Sequence, residues 1–171
     1  MTFTGTEVNI TDKETVKYLR KAAATEDYTQ KQANLMYAFN THNKLSMTEE
    51  NVKASAVINI NIGDNALKNN DFNTAMKAYL KTYLFLKKSD LYKNEPIAFY
   101  CLLSAMEISR QMDSKKWYEF CIKEIEQNEI ALDTKYPEQF TAIYNNLSKI
   151  YYLENNKEKS NLYAQKVKKL H

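Results

Sequence analysis

Asparagine is the residue in this sequence best suited to hold a ligand. Its amide offers one donor group and one acceptor, the same pair that a peptide bond presents. Asn61 and Asn65 stand four residues apart, one helical turn, and so share a face. Asn145 and Asn146 stand side by side in a later segment. Lys68 and Lys149 follow these asparagines closely and could meet a carboxylate. Tyr100, Tyr144 and Tyr152 would add flat contact area at low entropic cost. Such groups suit capture of an extended polypeptide. Asparagine and lysine are also abundant along the whole chain, so compositional bias is the competing explanation.

Catalytic chemistry has few candidates. His42 and His171 are the only histidines, one at a helix end and one at the terminus. A dyad of Cys101 or Cys121 with His42 would need convergence from distant segments. The two cysteines lie 20 residues apart in separate apolar patterns. They read as buried thiols, since a free cysteine behaves as a small hydrophobe. Glu124, Glu126 and Glu129 read as a solvated face, because a carboxylate metal site would want histidine at helical spacing. The expectation is a non-enzymatic protein with no metal and no cofactor.

Composition narrows the class. With 171 residues the chain suits one domain, and 44% hydrophobic residues can build a continuous core. Two glycines and two prolines are too few for the turns of an all-β protein or for a phosphate-cradling loop. The 24 basic and 21 acidic residues are interspersed, for a net charge of only +3. Arg20 and Arg110 are the only arginines, which leaves little for bidentate readout of bases, so nucleic acid is not the expected partner. Lys166, Lys168 and Lys169 read as a last helical turn that complements the helix dipole. No signal-peptide pattern and no apolar run of about 20 residues occurs, so a cytoplasmic protein without a membrane partner is expected.

The elements that must position these residues are helices. Residues 1–10 carry no periodicity and read as a flexible tail, with a single domain over residues 11–171. Thr11–Glu14 fits a capping box with threonine at the N-cap, followed by Val16, Leu19, Ala22 and Ala23 on one face. A second helix from Tyr28 carries Gln32, Leu35, Met36 and Phe39. Ser46–Glu49 fits another capping box, and the long helix it opens reaches Lys68. Its β-branched stretch from Ala56 to Ile62 could pass for a strand, but the flanking period and the cap favour helix. Asn69-Asn70-Asp71 forms a tight break, with Asp71 capping a helix whose inward stripe is Phe72, Ala75, Met76, Tyr79, Tyr83 and Leu86. Gly63 and Ala75 mark where these two helices would cross closely.

A polar connection over residues 89–94 leads to a helix opened by Pro96 and carrying Tyr100, Leu103 and Ile108. Asp113 or Ser114 caps the next, where Trp117 reads as a packing anchor. A loop over residues 133–136 and Pro137 introduce the seventh helix, with Phe140, Ile143, Tyr144, Leu147 and Tyr151. Asn155-Asn156 turns the chain into the eighth, with Tyr163, Val167 and Leu170. Eight helices in four antiparallel pairs, returning about every 40 residues, read as a helical-repeat array.

Ile62-Gly63 before Phe72, Ala75, Tyr79 and Thr82 resembles a tetratricopeptide repeat. Leu147-Ser148 before Tyr151, Ser160, Ala164 and Val167 resembles it less closely. Ser109 and Cys121 would be the small residues of the middle hairpin, while the first hairpin shows no such signature. The resemblance implies an all-α fold, a right-handed stack of about four antiparallel helical hairpins. The string Ile143-Tyr144-Asn145-Asn146-Leu147 is similar to groove-lining helices of the Rap, PlcR and Rgg peptide-pheromone receptors of Gram-positive bacteria. There, asparagines bond the backbone of an extended peptide. That likeness implies a bacterial regulator, although no helix-turn-helix pattern occurs over residues 11–45.

Stacked pairs curve, and the first helix of each pair lines the concave side. The expected function is therefore binding of a peptide or protein segment by Asn61, Asn65, Lys68, Tyr100, Tyr144, Asn145, Asn146, Lys149 and Tyr152, in a regulatory or adaptor role. One alternative is an oligomeric scaffold, with which a homodimer is compatible. The other is a transcriptional regulator whose first helix pair contacts DNA through Lys13, Lys17, Arg20 and Lys21.

Overall fold

The computed structural model describes the backbone of all residues except 1, 4–5, 92–94 and 135–136. It describes the side chains of those residues apart from 2–3, 6–7, 128–132 and 139. Parts of the connection over residues 89–94 and of the loop over residues 133–136 lie outside the described residues, as does the side chain of Glu129.

The chain divides into two compact units, Met1–Cys121 and Ile122–His171. The first holds α1 (Lys13–Ala23), α2 (Tyr28–His42), α3 (Glu49–Lys68), α4 (Phe72–Lys88), α5 (Pro96–Gln111) and the start of α6 (Lys115–Leu132). The second holds the rest of α6, α7 (Pro137–Leu153) and α8 (Lys157–Lys169). Consecutive helices pack pairwise: α1 on α2, α2 on α3, α3 on α4, α4 on α5, and α7 on α8. The body of the chain is therefore all-α and compatible with a stack of helical hairpins. Within the segment expected as a tail, β1 (Thr2–Phe3) pairs antiparallel with β2 (Thr6–Glu7), and Val8 packs against Ala54 and Val57.

α3 is the central helix of the first unit. Val52, the whole run Ala54–Ile60, Ile62, Gly63, Asn65 and Ala66 are buried. A helix apolar on nearly every side must be covered on nearly every side, and α2, α4 and α5 all pack on it. Burial thus overrides the strand preference of Val57, Ile58, Ile60 and Ile62, each contributing about 1.5–3 kcal/mol by leaving water. Ile58 and Ile62 join Ala22, Leu35, Ala38, Phe39 and Ala78 in one cluster. On α2 the buried face is Gln32, Leu35, Ala38, Phe39 and His42, while Met36 is half exposed. The expected placement of Met36 in the core is corrected by one step round the helix.

Asn59 is the polar bolt between α3 and α4. Its Nδ2 donates to the Ala78 carbonyl at 3.0 Å and to Thr82 Oγ1 at 2.8 Å, and the Thr82 hydroxyl donates to the same carbonyl. Gly63 lets α4 come close in another way. A Cβ there would lie 2.8 Å from Tyr79 Cε1 and 3.0 Å from Cζ, so the tyrosine ring, not Ala75, fills the space over the glycine. In the second unit the matching position is Ser148, whose hydroxyl donates to the Ser160 carbonyl at 2.9 Å while Ser160 Oγ donates to the Ser148 carbonyl at 2.8 Å. Around that contact Phe140, Ile143, Tyr144, Leu147 and Tyr163 are buried, with Tyr151 stacked on Tyr163. Glu124 is buried and Glu126 accepts from the Tyr163 hydroxyl, so the expected solvated glutamate face is corrected. Tyr163 brings its phenol onto that side of α6. Trp117 is 38% exposed and packs edge-on to Phe120.

The helix ends follow local rules. Asp12, not Thr11, is the N-cap of α1: its carboxylate accepts from the Thr15 N–H at 2.8 Å and the Thr15 hydroxyl at 2.6 Å. Thr48, not Ser46, caps α3 through the Asn51 N–H. Asp71 caps α4 as expected, and Asn156 of the Asn155-Asn156 turn caps α8. Of the two candidates before α6, Asp113 is left-handed and the Ser114 carbonyl accepts from Tyr118 N–H.

The joints within pairs repeat. Asn70, Asp113 and Asn155 all take positive φ near 55–59°, and they recur 43 and 42 residues apart. At each, the next residue's N–H reaches back to a carbonyl five residues earlier: Asp71 to Ala66, Ser114 to Ser109, and Asn156 to Tyr151. This Schellman closure satisfies carbonyls that a helix end leaves unpaired. Asparagine and aspartate replace the usual glycine because they tolerate the left-handed region best among the other residues. The joint between α1 and α2 lacks it, since Ala24 is right-handed.

His42 closes α2 in the core, with Nδ1 2.9 Å from Ser55 Oγ. Burial disfavours the imidazolium, and the charge of Asp12 offsets this only in part, so the histidine pKa lies below its usual 6.5. As pH falls through about 6.5 the unfolded chain takes up a proton that the folded chain resists. Stability present above that pH is therefore lost toward the lowered folded value. Urea unfolding is expected to show a lower midpoint at about pH 5.5 than at about pH 7.5, and His42→Gln should shrink the difference. A difference between the two pH values that His42→Gln leaves unchanged would show that His42 is not its source.

Candidate functional site

The first unit carries an open cleft of about 690 Å³. Three odd-numbered helices supply most of its lining. α3 contributes Asn61, Asp64, Asn65, Leu67 and Lys68, α1 contributes Leu19, Ala22 and Ala23, and α5 contributes Tyr100. Lys31 and Leu35 come from α2. This volume falls within the range typical of ligand sites, about 300–1,000 Å³.

Helical geometry explains why α3 serves both core and cleft. Residues two apart on a helix point to nearly opposite sides. Asn59 therefore faces α4 and is buried, while Asn61 faces the cleft and is half-buried. Asn61, Asp64, Asn65 and Lys68 follow at three and four residues, a single stripe along the helix. Among the described residues Asn61 makes no side-chain hydrogen bond, and Lys68 makes no ion pair. Asn65 is buried and partly committed. Its Nδ2 donates to Gln32 Oε1 at 2.9 Å, and Gln32 Nε2 in turn donates to the Ile62 carbonyl at 3.2 Å. Nothing among the described residues donates to Asn65 Oδ1, which remains available as an acceptor.

Asp64 anchors the aromatic wall. Its Oδ1 accepts from the Tyr79 hydroxyl at 2.5 Å and from the Tyr100 hydroxyl at 2.8 Å, and the two rings meet edge to face at 5.9 Å. Burial, followed by the hydrogen bond to Asp64, pushes the Tyr100 pKa up to about 12 and that of Tyr79 higher still. Both phenols stay protonated donors at any physiological pH. The Cys101 thiol beside them is driven up as well, first by burial and then by the charge of Asp64, which favours the protonated thiol.

Four of the nine residues nominated from the sequence, Asn61, Asn65, Lys68 and Tyr100, thus come together. The other five lie on α7 of the second unit. Asn145, Lys149 and Tyr152 form an exposed stripe, and Asn146 is half-buried. Tyr144 is only 1% exposed, packed on Phe140 and Tyr163, with its hydroxyl 3.4 Å from Asp133. It is a core residue, not a contact surface. Sequence reasoning missed the other seven lining residues, among them Lys31, Leu35 and Asp64. Asp64 was legible in hindsight from its place one turn below Lys68, whereas Lys31 sits in a helix pair without a repeat signature.

Among the described residues no helix is long and apolar enough to cross a membrane. Comparison of the chain with protein-family models, curated proteins and solved structures finds no match.

Proposed function

We propose that the cleft between α1, α3 and α5 binds a peptide segment of a partner, and that the protein is a non-enzymatic regulatory or adaptor module. One observation carries the reading. Residues nominated for backbone capture converge on a cleft of suitable size whose floor, Leu19, Ala22 and Leu35, is apolar. Asn61 brings an uncommitted donor and acceptor, and Asn65 brings an acceptor. A peptide backbone needs both, and apolar side chains of the same peptide would take the floor out of water. Lining by the odd-numbered helices agrees with what the resemblance to tetratricopeptide repeats implies for a right-handed stack with a ligand on its concave side. The stripe on α7 is not needed for this reading.

Selection of random peptides on the immobilised protein, followed by amide NMR with a synthesised winner, tests it. Shift changes are expected at Asn61, Lys68 and Tyr100. Asn61→Ala should weaken the winner by about tenfold, as loss of hydrogen bonds worth about 1–1.5 kcal/mol implies. Selection of no peptide, or shift changes away from the cleft, would refute the proposal.

A further inference from the structure

We infer that the peptide held in this cleft carries an acidic side chain seated on Lys68, about three residues from the residue whose backbone meets Asn61. The inference rests on the peptide-binding reading and specifies its ligand.

The charges of the cleft support it. Lys68, Lys31 and Asp64 are the ionisable lining residues apart from Tyr100. Asp64 has its Oδ1 engaged by the phenols of Tyr79 and Tyr100, and its single negative charge is outnumbered by the two lysines. Lys31 has only a loose partner, Glu26 at 3.9 Å, whose side chain is 95% exposed. Lys68 is exposed and has no carboxylate partner among the described residues. Among the lysines of the same unit, Lys53 shows what a paired one looks like: it lies 2.6 Å from Glu49 and 2.8 Å from Glu95. The cleft thus presents two cations of weak or no pairing beside an apolar floor. A ligand carboxylate there gains attraction, while a ligand cation meets repulsion, and such complementarity selects partners more than it adds affinity.

Spacing fixes the register. Asn61 and Lys68 are seven residues apart, nearly two turns, so they share a face about 10 Å apart along α3. An extended peptide covers that distance in about three residues. The matching ligand therefore has its acidic residue three positions from the one bonded by Asn61, with apolar residues between or beside them on Leu19 and Leu35.

Random heptapeptides displayed as internal fusions, with no free end, should yield sequences with Asp or Glu at one fixed position and an apolar residue within three of it. In fluorescence anisotropy with the amidated winner, changing that acid to its amide should weaken binding by about twofold to fivefold. Lys68→Gln should do the same, and Lys68→Glu more. A winner rewritten with lysine at the acidic position should bind Lys68→Glu better than it binds the unaltered protein. Circular dichroism of each variant keeps folding out of the comparison. Winners without an acid, or winners indifferent to Lys68→Glu, overturn this inference while leaving peptide binding intact. Binding that requires a free C-terminus overturns it too, by assigning Lys68 to a chain end. Selections that stay empty both with these internal fusions and with free-ended peptides refute peptide binding itself, and this inference with it.

Discussion

Gly63→Ala is expected to lower stability by about 2–4 kcal/mol, although alanine is the better helix former by about 1 kcal/mol. The added methyl would stand 2.8 Å from Tyr79 Cε1 and 3.2 Å from Cδ1. Tyr79 has nowhere to go. It is fully buried, its ring edge meets Tyr100, and its hydroxyl is held by Asp64 at 2.5 Å. Relief requires either that α3 and α4 separate or that the phenol leaves its carboxylate, and a hydrogen bond to a charged group is worth about 1.5–3 kcal/mol. For a chain of this length the loss corresponds to a melting temperature lower by about 5–15 °C. Because Asp64 and Tyr100 line the cleft, peptide affinity should fall as well. Removing the ring should remove the clash, so Gly63→Ala combined with Tyr79→Leu should cost less than the sum of the two single changes. Thermal and urea melts of the four proteins decide it, and an alanine variant as stable as the parent would mean that the two helices are not in close contact here.

Asn59→Asp should be the most damaging isosteric change in the first unit, costing about 3–5 kcal/mol near neutral pH. The substitution puts a carboxylate where a donor now serves the Ala78 carbonyl and Thr82 Oγ1. Oxygen then faces oxygen in a site 5% exposed. Burial and the neighbouring carbonyl both favour the protonated acid, so the folded pKa of this aspartate would rise above its unfolded value near 3.9. The sign follows: the deficit relative to the parent is full above the raised folded pKa and closes as pH falls toward about 4. Measuring both proteins at each pH separates this from the acid loss due to His42. A deficit that does not change with pH would show that the substituted carboxyl reaches solvent.

Much of the architecture was legible because short-range rules decide it. The break Asn69-Asn70-Asp71 supplies a left-handed residue and an N-cap in three positions, and nothing distant is needed to form it. Pro96 and Pro137 open α5 and α7 for the same kind of reason. Where neighbouring residues compete for one role, sequence alone chose wrongly. At α1 both Thr11 and Asp12 can cap. Aspartate prevails because its carboxylate takes two donors from Thr15 at once. The middle hairpin hid its repeat for a different reason. Counting from its left-handed Asp113 puts Met106 and Tyr118, both buried, where the outer hairpins have Gly63 or Ser148 and Ala75 or Ser160. Large residues there erase the small-residue signature that Ser109 and Cys121 were expected to supply.

The candidate site was half legible. Asn61, Asn65 and Lys68 were found because one helix carries them at a period that can be counted. Lys31 and Leu35 could not be found so, since their approach depends on how α2 packs on α3. Tyr144 shows the opposite failure. An aromatic stripe on a helix does not say which side another helix will cover, and α8 covers this one with Tyr163.

The paired joints leave no slack. Each is three residues long and bonded at both ends, so it behaves as a bracket, not a tether. One residue inserted into α3 between Asp64 and Lys68 would turn the helix end beyond it by about 100°. A bracket hands that rotation on to α4, swinging Tyr79 away from Asp64 and the cleft wall with it. An insertion of about one whole turn in α3 is therefore expected to disturb the cleft less than a single residue does.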